Sequence, residues 1–228
     1  LARVETRLDP DGLMLSMAGA GAIRVPYGVT DGDRIETRVW DDVCETVDQG
    51  EVVSKWLTSA LASSESLRLV CMAPGFIRPQ ARADLLGRDT HTLFADAAPF
   101  LVANEASLEA LNSELLARGE SAVPMNRFRP NIVLRGLAPF AEHQIAGIAS
   151  ANYALKFTHP CQRCVVTTID QATAEKDSDW QPYKTLREIN PMPDNERAPA
   201  FAHNATRSKG AGVKIALEDR VSAEGSSK

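Results

Sequence analysis

The stretch HPCQRCVVTTID, His159 to Asp170, sets two thiols three residues apart with an arginine between them. A Cys-x-x-Cys pair supports three kinds of chemistry. As half of a structural zinc site it needs further Cys or His ligands close by. His159 adjoins the pair, but His203 lies well downstream, and Cys44 and Cys71 lie far upstream. As a thioredoxin-type dithiol it needs a helix whose N-terminus stabilises the first thiolate. The β-branched run from Val165 to Ile169 predicts a strand there instead. As a single thiolate it suits a soft metal centre, while its neighbours hold the rest of a cofactor. Arg163 is placed to stabilise a thiolate and to pair with phosphate. Two ordinary thiols at a strand end are the plain alternative, and residue chemistry alone does not choose the metal.

A second constellation is NRFRPNIVLRG, Asn126 to Gly136. Pro130 is expected to keep Arg129 extended. On an extended chain Arg129 and Asn131 then share one face, offering a guanidinium and an amide to an oxygen- and nitrogen-rich ligand. The competing expectation is a structural brace from arginine to a carboxylate, with Glu142 or Asp96 as the partner.

These groups need a scaffold. The chain has 228 residues, a formal net charge of −5 and 44% hydrophobic residues, enough for a sizeable core in one large or two small domains. The acidic balance argues against a general nucleic-acid binder. No apolar run reaches the roughly 18 residues of a transmembrane helix. Four cysteines in a chain of this length are not a disulfide framework, so the thiols are expected to be reduced, in a cytoplasmic compartment.

The first forty or so residues alternate as short strands with turns: RVETRL, LMLSM, IRVPYG and DRIETRVWDD, the last with Ile35, Thr37 and Val39 on one face. DQGEVVSKWLTSALA switches to helical spacing, with Trp56 expected as a core anchor. LRLVCMA is a strand, and Cys71 and Cys44 are expected to be inert buried thiols. PGFIRPQARADLLGRDTHTL is expected to be an exposed loop or the join between two subdomains. It lacks Gly/Ser linker character, so the halves are expected to pack. EASLEALNSELLARG predicts a helix with Leu108, Leu111, Leu115 and Leu116 as its stripe and Gly119 as its cap. NIVLRG, YALKFT and CVVTTID follow as strands, DSDWQPYKTLREINPMPDNERAPAF as loop, GVKIALEDRV as a last strand and SAEGSSK as a frayed tail. The expected fold class is α+β and β-rich.

The segments FADAAPFLVANEASLEALN, RFRPNIVLRGLAPFAEHQ, PCQRCVVTTID and FAHN occur in the order of the MOSC-domain proteins. They resemble the branch of mitochondrial amidoxime-reducing components and their bacterial relatives. VWDD with DQGEVVSKWLTSAL resembles the second half of that branch's N-terminal β-barrel domain. The resemblance implies a partial N-terminal barrel over 1–75 and a MOSC domain over 76–228. It implies a molybdenum cofactor, Mo-molybdopterin, with Cys164 as catalytic residue and metal ligand. Gln162, Arg163, Arg129 and Asn131 would hold the cofactor, and Asp96 with the backbone of Ala97 and Ala98 would lie beside it. Asp96 or His203 would manage protons. It further implies reduction of N-hydroxylated compounds to amines or amidines, with electrons from an external flavin or 2Fe–2S donor. Pyridoxal phosphate binding also comes with the family. The family's Pro-x-Lys-Ser and Asp-Arg-x-Trp segments have no counterpart here, so either an upstream segment or part of the phosphate grip is expected to be missing. Phe-Gly-Gln-Asn is replaced by Phe201-Ala202-His203-Asn204. The rival reading is a cofactor- or sulfur-carrying module, or a cofactor-free truncated protein, without turnover.

Overall fold

A computed structural model describes residues 1–78 and 82–225. The chain separates into two units: Leu1–Pro79 with Gln171–Ala174, and Gln80–Asp170 with Glu175–Lys228.

The first unit holds two three-stranded antiparallel sheets. One comprises β1 (Glu5–Asp9), β2 (Gly12–Met17) and β3 (Gly21–Pro26). The other comprises β4 (Arg34–Val39), β5 (Asp42–Asp48) and β6 (Val70–Met72), the last reached through α1 (Glu51–Ala60). Residues Ile35, Thr37 and Val39 turn inward along β4 while their neighbours are exposed, as the period-two pattern requires. Val53 and Leu57 of α1 pack on Leu15 and Val25. Trp56 joins them with its indole N–H donating to Ala20 O at 3.0 Å, so the anchor expectation holds. Cys44 is fully buried. Cys71 is only half-buried and accepts a hydrogen bond from Gln49 Nε2.

The second unit is built on a seven-stranded sheet. Its elements are α2 (Ala83–Leu86), β7 (Phe100–Asn104), α3 (Glu105–Ala117), β8 (Ile132–Leu134), β9 (Ile145–Ala149), β10 (Ala154–Gln162), α4 (Tyr183–Ile189), β11 (Pro191–Met192), β12 (Asn195–Lys209) and β13 (Ser222–Gly225). The order across the sheet is β13-β9-β10-β12-β7-β8, with β11 paired to β12; only β7 and β8 run parallel. The fold is α+β and β-rich, with a curled half-barrel sheet.

Alternation along β7 sends Val102 to one core, with Leu155, Phe157 and Ala205, and Ala103 to the other, with Leu111, Phe128 and Phe201. Asn104 ends β7 and caps α3. Its Oδ1 accepts from Ala106 N, and its amide donates to Ala138 O at 2.7 Å and to the buried Glu142. Asn104→Ala is therefore expected to destabilise the protein by about 2 kcal/mol in chemical denaturation, through the lost cap and an unpaired carbonyl. Gly119, with φ of 79°, closes α3. Gly119 N bonds Leu116 O and Glu120 N bonds Leu115 O, satisfying two terminal carbonyls.

Several expectations fail here. Leu116 is exposed, and Ser107 takes the inward place. The supposed loop at 177–201 contains α4 and the start of β12, the longest strand. Thr185 and Leu186 seal α4 inward, and Pro199 and Ala200 are committed to partners. Of the two readings of 74–93, the unit boundary falls within it as a join would, whereas the exposed loop does not hold, because it contains α2 and buries Arg78, Leu86 and Thr92; residues 79–81 lie outside the described residues. GVKIALEDRV is not a strand. The last strand is β13, inside the expected frayed tail, whose residues 226–228 lie outside the described residues.

Candidate functional site

The cysteine pair sits where β10 leaves the sheet. Gln162 is the last β10 residue paired with β12, opposite Ala200, and Arg163 N still donates to Pro199 O at 2.8 Å. Val165–Thr168 then forms a single 3-10 turn with Cys164 as its extended N-terminal flank, which corrects the expected strand. The threonines explain the correction. Thr167 Oγ1 donates back to Cys164 O at 3.0 Å and Thr168 Oγ1 to Val165 O at 2.7 Å, a local alternative to ladder bonding.

Both thiols are free: Cys164 is exposed and Cys161 half-buried. No turn or bend shortens the chain from Cys161 to Cys164. An extended chain at roughly 3.3 Å per residue sets Cα atoms three residues apart at about 10 Å, beyond disulfide reach, and both thiols are unbonded here. Mass spectrometry of freshly purified protein without reductant is expected to show both thiols alkylatable; a quantitative 161–164 crosslink would contradict this.

The thiol that Arg163 touches is Cys161. Its Nη1 donates to Cys161 Sγ at 3.1 Å and Nη2 to Phe128 O at 2.9 Å, with the guanidinium over the Phe128 ring. Phe128 is fully buried and stacks on Phe201 at 3.8 Å. Arg127 adds a second link. Its Nη2 pairs with Asp170 at 2.8 Å and its Nη1 donates to Thr167 O at 3.3 Å. The arginine brace weighed from the sequence therefore exists, but it is Arg127 to Asp170, with neither Glu142 nor Asp96 as the partner. Together the two arginines clamp the Met125–Phe128 turn to the Val165–Thr168 turn, and so bring the two motifs side by side.

Arg129 is not extended: it has φ of 53° and ψ of 45°, the left-handed region, despite the following proline. The strand alternation that would set its exposed side chain on one face with Asn131 is therefore absent at Arg129. Asn131 is tied to β7, its N–H donating to Leu101 O and its Oδ1 accepting from Leu101 N at 2.7 Å. Asp96, exposed, and Ala97 and Ala98, half-buried, lie on the segment entering β7, just before the residue that Asn131 clasps. Gln162 is exposed. Of the eight sequence-derived residues, Cys164, Gln162 and Arg129 thus flank the two linked turns, Asp96, Ala97 and Ala98 lie on the segment entering β7, and Arg163 and Asn131 are already committed to hydrogen bonds within the protein.

His203, expected only as an alternative to Asp96 in managing protons, belongs to a buried imidazole network. Asn190 Nδ2 donates to Ala200 O at 2.9 Å, so its other hydrogen points to His143 Nε2, 3.1 Å away. His143 therefore carries its proton on Nδ1 and donates to His203 Nδ1 at 3.2 Å. Burial lowers both, His143 to about 4 and His203 to about 3, the latter also through His143 and His159. His203 stacks on Phe157 and is 6% exposed, and this burial favours its neutral form. Ala202, with φ of 66°, lets Phe201 and Ala202 both enter one core, and the register shifts across from it at Pro160–Gln162. That irregularity has no signal in the sequence.

Among the described residues no three His, Cys, Asp or Glu side chains gather to hold a metal ion. A metal at Cys164 would have to take its other ligands from a cofactor. The donor set fits such a group: an exposed soft thiol, an exposed guanidinium and an exposed amide, on a rigid clamp.

Residues 89–221 match the MOSC domain model. The chain is 34% identical over 206 residues to mitochondrial amidoxime-reducing component 1 of Homo sapiens, covering 86% of this chain and 59% of that protein. The Mus musculus counterpart is 37% identical over 209 residues, with the same coverage of 86% and 59%. Molybdenum cofactor sulfurase of Caenorhabditis elegans is 30% identical over 173 residues, 75% of this chain and 22% of that protein. The chain thus spans less than two thirds of the amidoxime-reducing relatives. Their names are mitochondrial and lend no support to a cytoplasmic setting, and none of these names supports pyridoxal phosphate binding. Among the described residues no helix is long and apolar enough to cross a membrane.

Proposed function

The chain belongs to the MOSC-domain family, and from that premise we propose that it binds a molybdenum cofactor through Cys164 and reduces N-hydroxylated compounds to amines or amidines. The observation that carries the reading is the exposed Cys164 thiol at the end of an arginine-clamped turn, next to a motif that leaves Arg129 and Gln162 exposed. When bound, the cofactor supplies a soft two-electron centre able to take oxygen from an N–OH group. Cys164 would be its protein ligand. Gln162 would hydrogen-bond the pterin, and Arg129 would pair with pterin or phosphate oxygens. The backbone of Ala97 and Ala98 would border the same pocket. Arg163 and Asn131 would act by holding the two turns and the β7 entry in place. Asp96 would manage protons beside the cofactor. Electrons would come from an external flavin or 2Fe–2S protein.

Arg129→Ala is expected to weaken cofactor retention about tenfold to hundredfold, the value of a charge-assisted hydrogen bond. Protein made in cells that synthesise the cofactor would be dialysed, and its molybdenum and pterin measured over time. The function itself is tested by assaying wild-type protein for stoichiometric molybdenum and for reduction of a simple N-hydroxylated base with an added donor. The sulfurase match favours one second reading, a cofactor or sulfur carrier. Stoichiometric molybdenum, or sulfur on Cys164, without turnover would select it. Protein without molybdenum would select the cofactor-free reading.

A further inference from the structure

The backbone that carries Cys164 is last tied to the sheet at Pro199. Beyond the paired residues Gln162 and Ala200, Arg163 N donates to Pro199 O at 2.8 Å, and the chain then leaves β10. The position of the thiol therefore depends on what places Pro199. Its own nitrogen carries no hydrogen, and the residue opposite it in the β11–β12 pair is Pro191, which has none either. Two facing prolines donate nothing to each other, so the ladder does not fix this point. Asn190 does so one residue along. Ala200 N donates to Asn190 O at 2.8 Å, and Asn190 Nδ2 donates to Ala200 O at 2.9 Å, a two-bond clasp. Asn190 rests in turn on α4, its own N–H donating to the carbonyl of the fully buried Leu186 at 2.8 Å. His143 Nε2, 3.1 Å from the same Nδ2, gives that nitrogen a second acceptor. A flipped amide would set Oδ1 against Ala200 O and lose both bonds.

We infer that Asn190 is a positioning residue for Cys164: its side-chain amide, oriented by His143, fixes the Pro199–Ala200 segment from which the thiol-bearing arm leaves the sheet. It acts through Ala200, Pro199 and Arg163 and touches no reacting atom. Ala200 is 1% exposed, so removing the amide leaves its carbonyl buried and without that donor. The consequence for turnover rests on the reading of Cys164 as the cofactor ligand; the consequence for the arm does not.

The test uses the whole chain and amide hydrogen exchange resolved by NMR. In Asn190→Ala the Arg163 N–H is expected to exchange about tenfold faster than in wild type, the value of one lost hydrogen bond, while amides of the β9–β10 pair keep their rates. His143→Leu is expected to speed it about threefold, and His143→Gln, whose side-chain oxygen accepts from Asn190, to restore the wild-type rate. An unchanged Arg163 amide in Asn190→Ala, or a rise shared equally by the β9–β10 pair, overturns the clasp. Equal rates in the two His143 variants overturn the orienting role. If Asn190→Ala does not fold, the His143 variants decide, since both keep Asn190. With cofactor-loaded protein, Asn190→Ala is expected to shift the electronic spectrum of the bound metal and to lower kcat about tenfold, with KM within about twofold of wild type. A loosened Arg163 amide beside an unchanged spectrum and kcat shows that Cys164 does not depend on the clasp, and overturns the positioning role. Wild type without molybdenum sinks the cofactor reading alone, and the exchange rates then decide the clasp by themselves.

Discussion

Cys164→Ser is expected to abolish molybdenum-dependent turnover, a loss of at least about a hundredfold, whereas Cys161→Ser keeps most of it. The asymmetry follows from what each sulfur touches. Cys164 is exposed beyond the clamp, and a serine oxygen there is a harder donor that does not replace a thiolate on a soft metal. Cys161 Sγ is an acceptor for Arg163 Nη1, and a serine hydroxyl accepts the same hydrogen bond. Arg163 would keep its grip on Phe128 O and continue to hold the two turns together. Molybdenum content, spectroscopy of the bound metal and reduction of an N-hydroxylated base should be measured for both variants. An essential Cys161 with a dispensable Cys164 would overturn the assignment of the ligand. Equal losses in both, with normal folding, would point to a dithiol in place of a single ligand.

Acid is expected to unfold this protein early, and His143 and His203 give the reason. Both are neutral when folded, lowered to about 4 and about 3 by burial, and both return to the ordinary value of 6.5 when the chain unfolds. The unfolded chain then binds more protons below pH 6.5, so stability falls as pH drops from 6.5 towards the folded values, about 1.4 kcal/mol per unit for each histidine. Glu142 opposes them. It is fully buried and its carboxyl is raised above 4.5, so its contribution is greatest at low pH and is lost as pH rises through its folded value. His159, also lowered by burial, acts in the same direction, and against the one carboxyl these imidazoles leave a net loss of at least about 1.5–3 kcal/mol between pH 6.5 and pH 5. Below 4.5 the carboxyls of Glu188 and Asp84, held low by Arg118 and Arg82, add to the loss in the same direction. Urea titrations at the two pH values measure this. His203→Gln, which keeps a polar group but does not titrate, is expected to flatten the profile by about half. An unchanged slope in that variant would show that the imidazole pair is not its source.

The sequence by itself determined the elements whose pattern repeats locally. The strand alternation through Val39, the helix from Glu105 with its Gly119 cap, and the Trp56 anchor all follow from side chains a few residues apart, which is the range over which periodicity acts. It also marked the two motifs, because Cys, Arg and Asn carry their chemistry wherever the chain places them. Only the tertiary structure decided which of them stay available. Arg127 and Arg129 are equivalent as letters; the left-handed turn at Arg129 exposes one, and the pairing with Asp170 buries the other. The two thiols are likewise alike until Arg163, positioned by Phe128 O, takes Cys161 and leaves Cys164 outward. The run Val165–Thr168 has strand propensity, but hydroxyl bonds to the preceding carbonyls and Arg127 on Thr167 O make it a turn. The Pro-bearing stretch before Ala200 became α4, β11 and the start of β12 because β11 pairs with Asn195 and Pro199, β10 takes over from Ala200, and Leu186 of α4 enters a core. Partners distant in sequence fix those outcomes, since burial and pairing depend on what folds against a segment, and no local period carries that information.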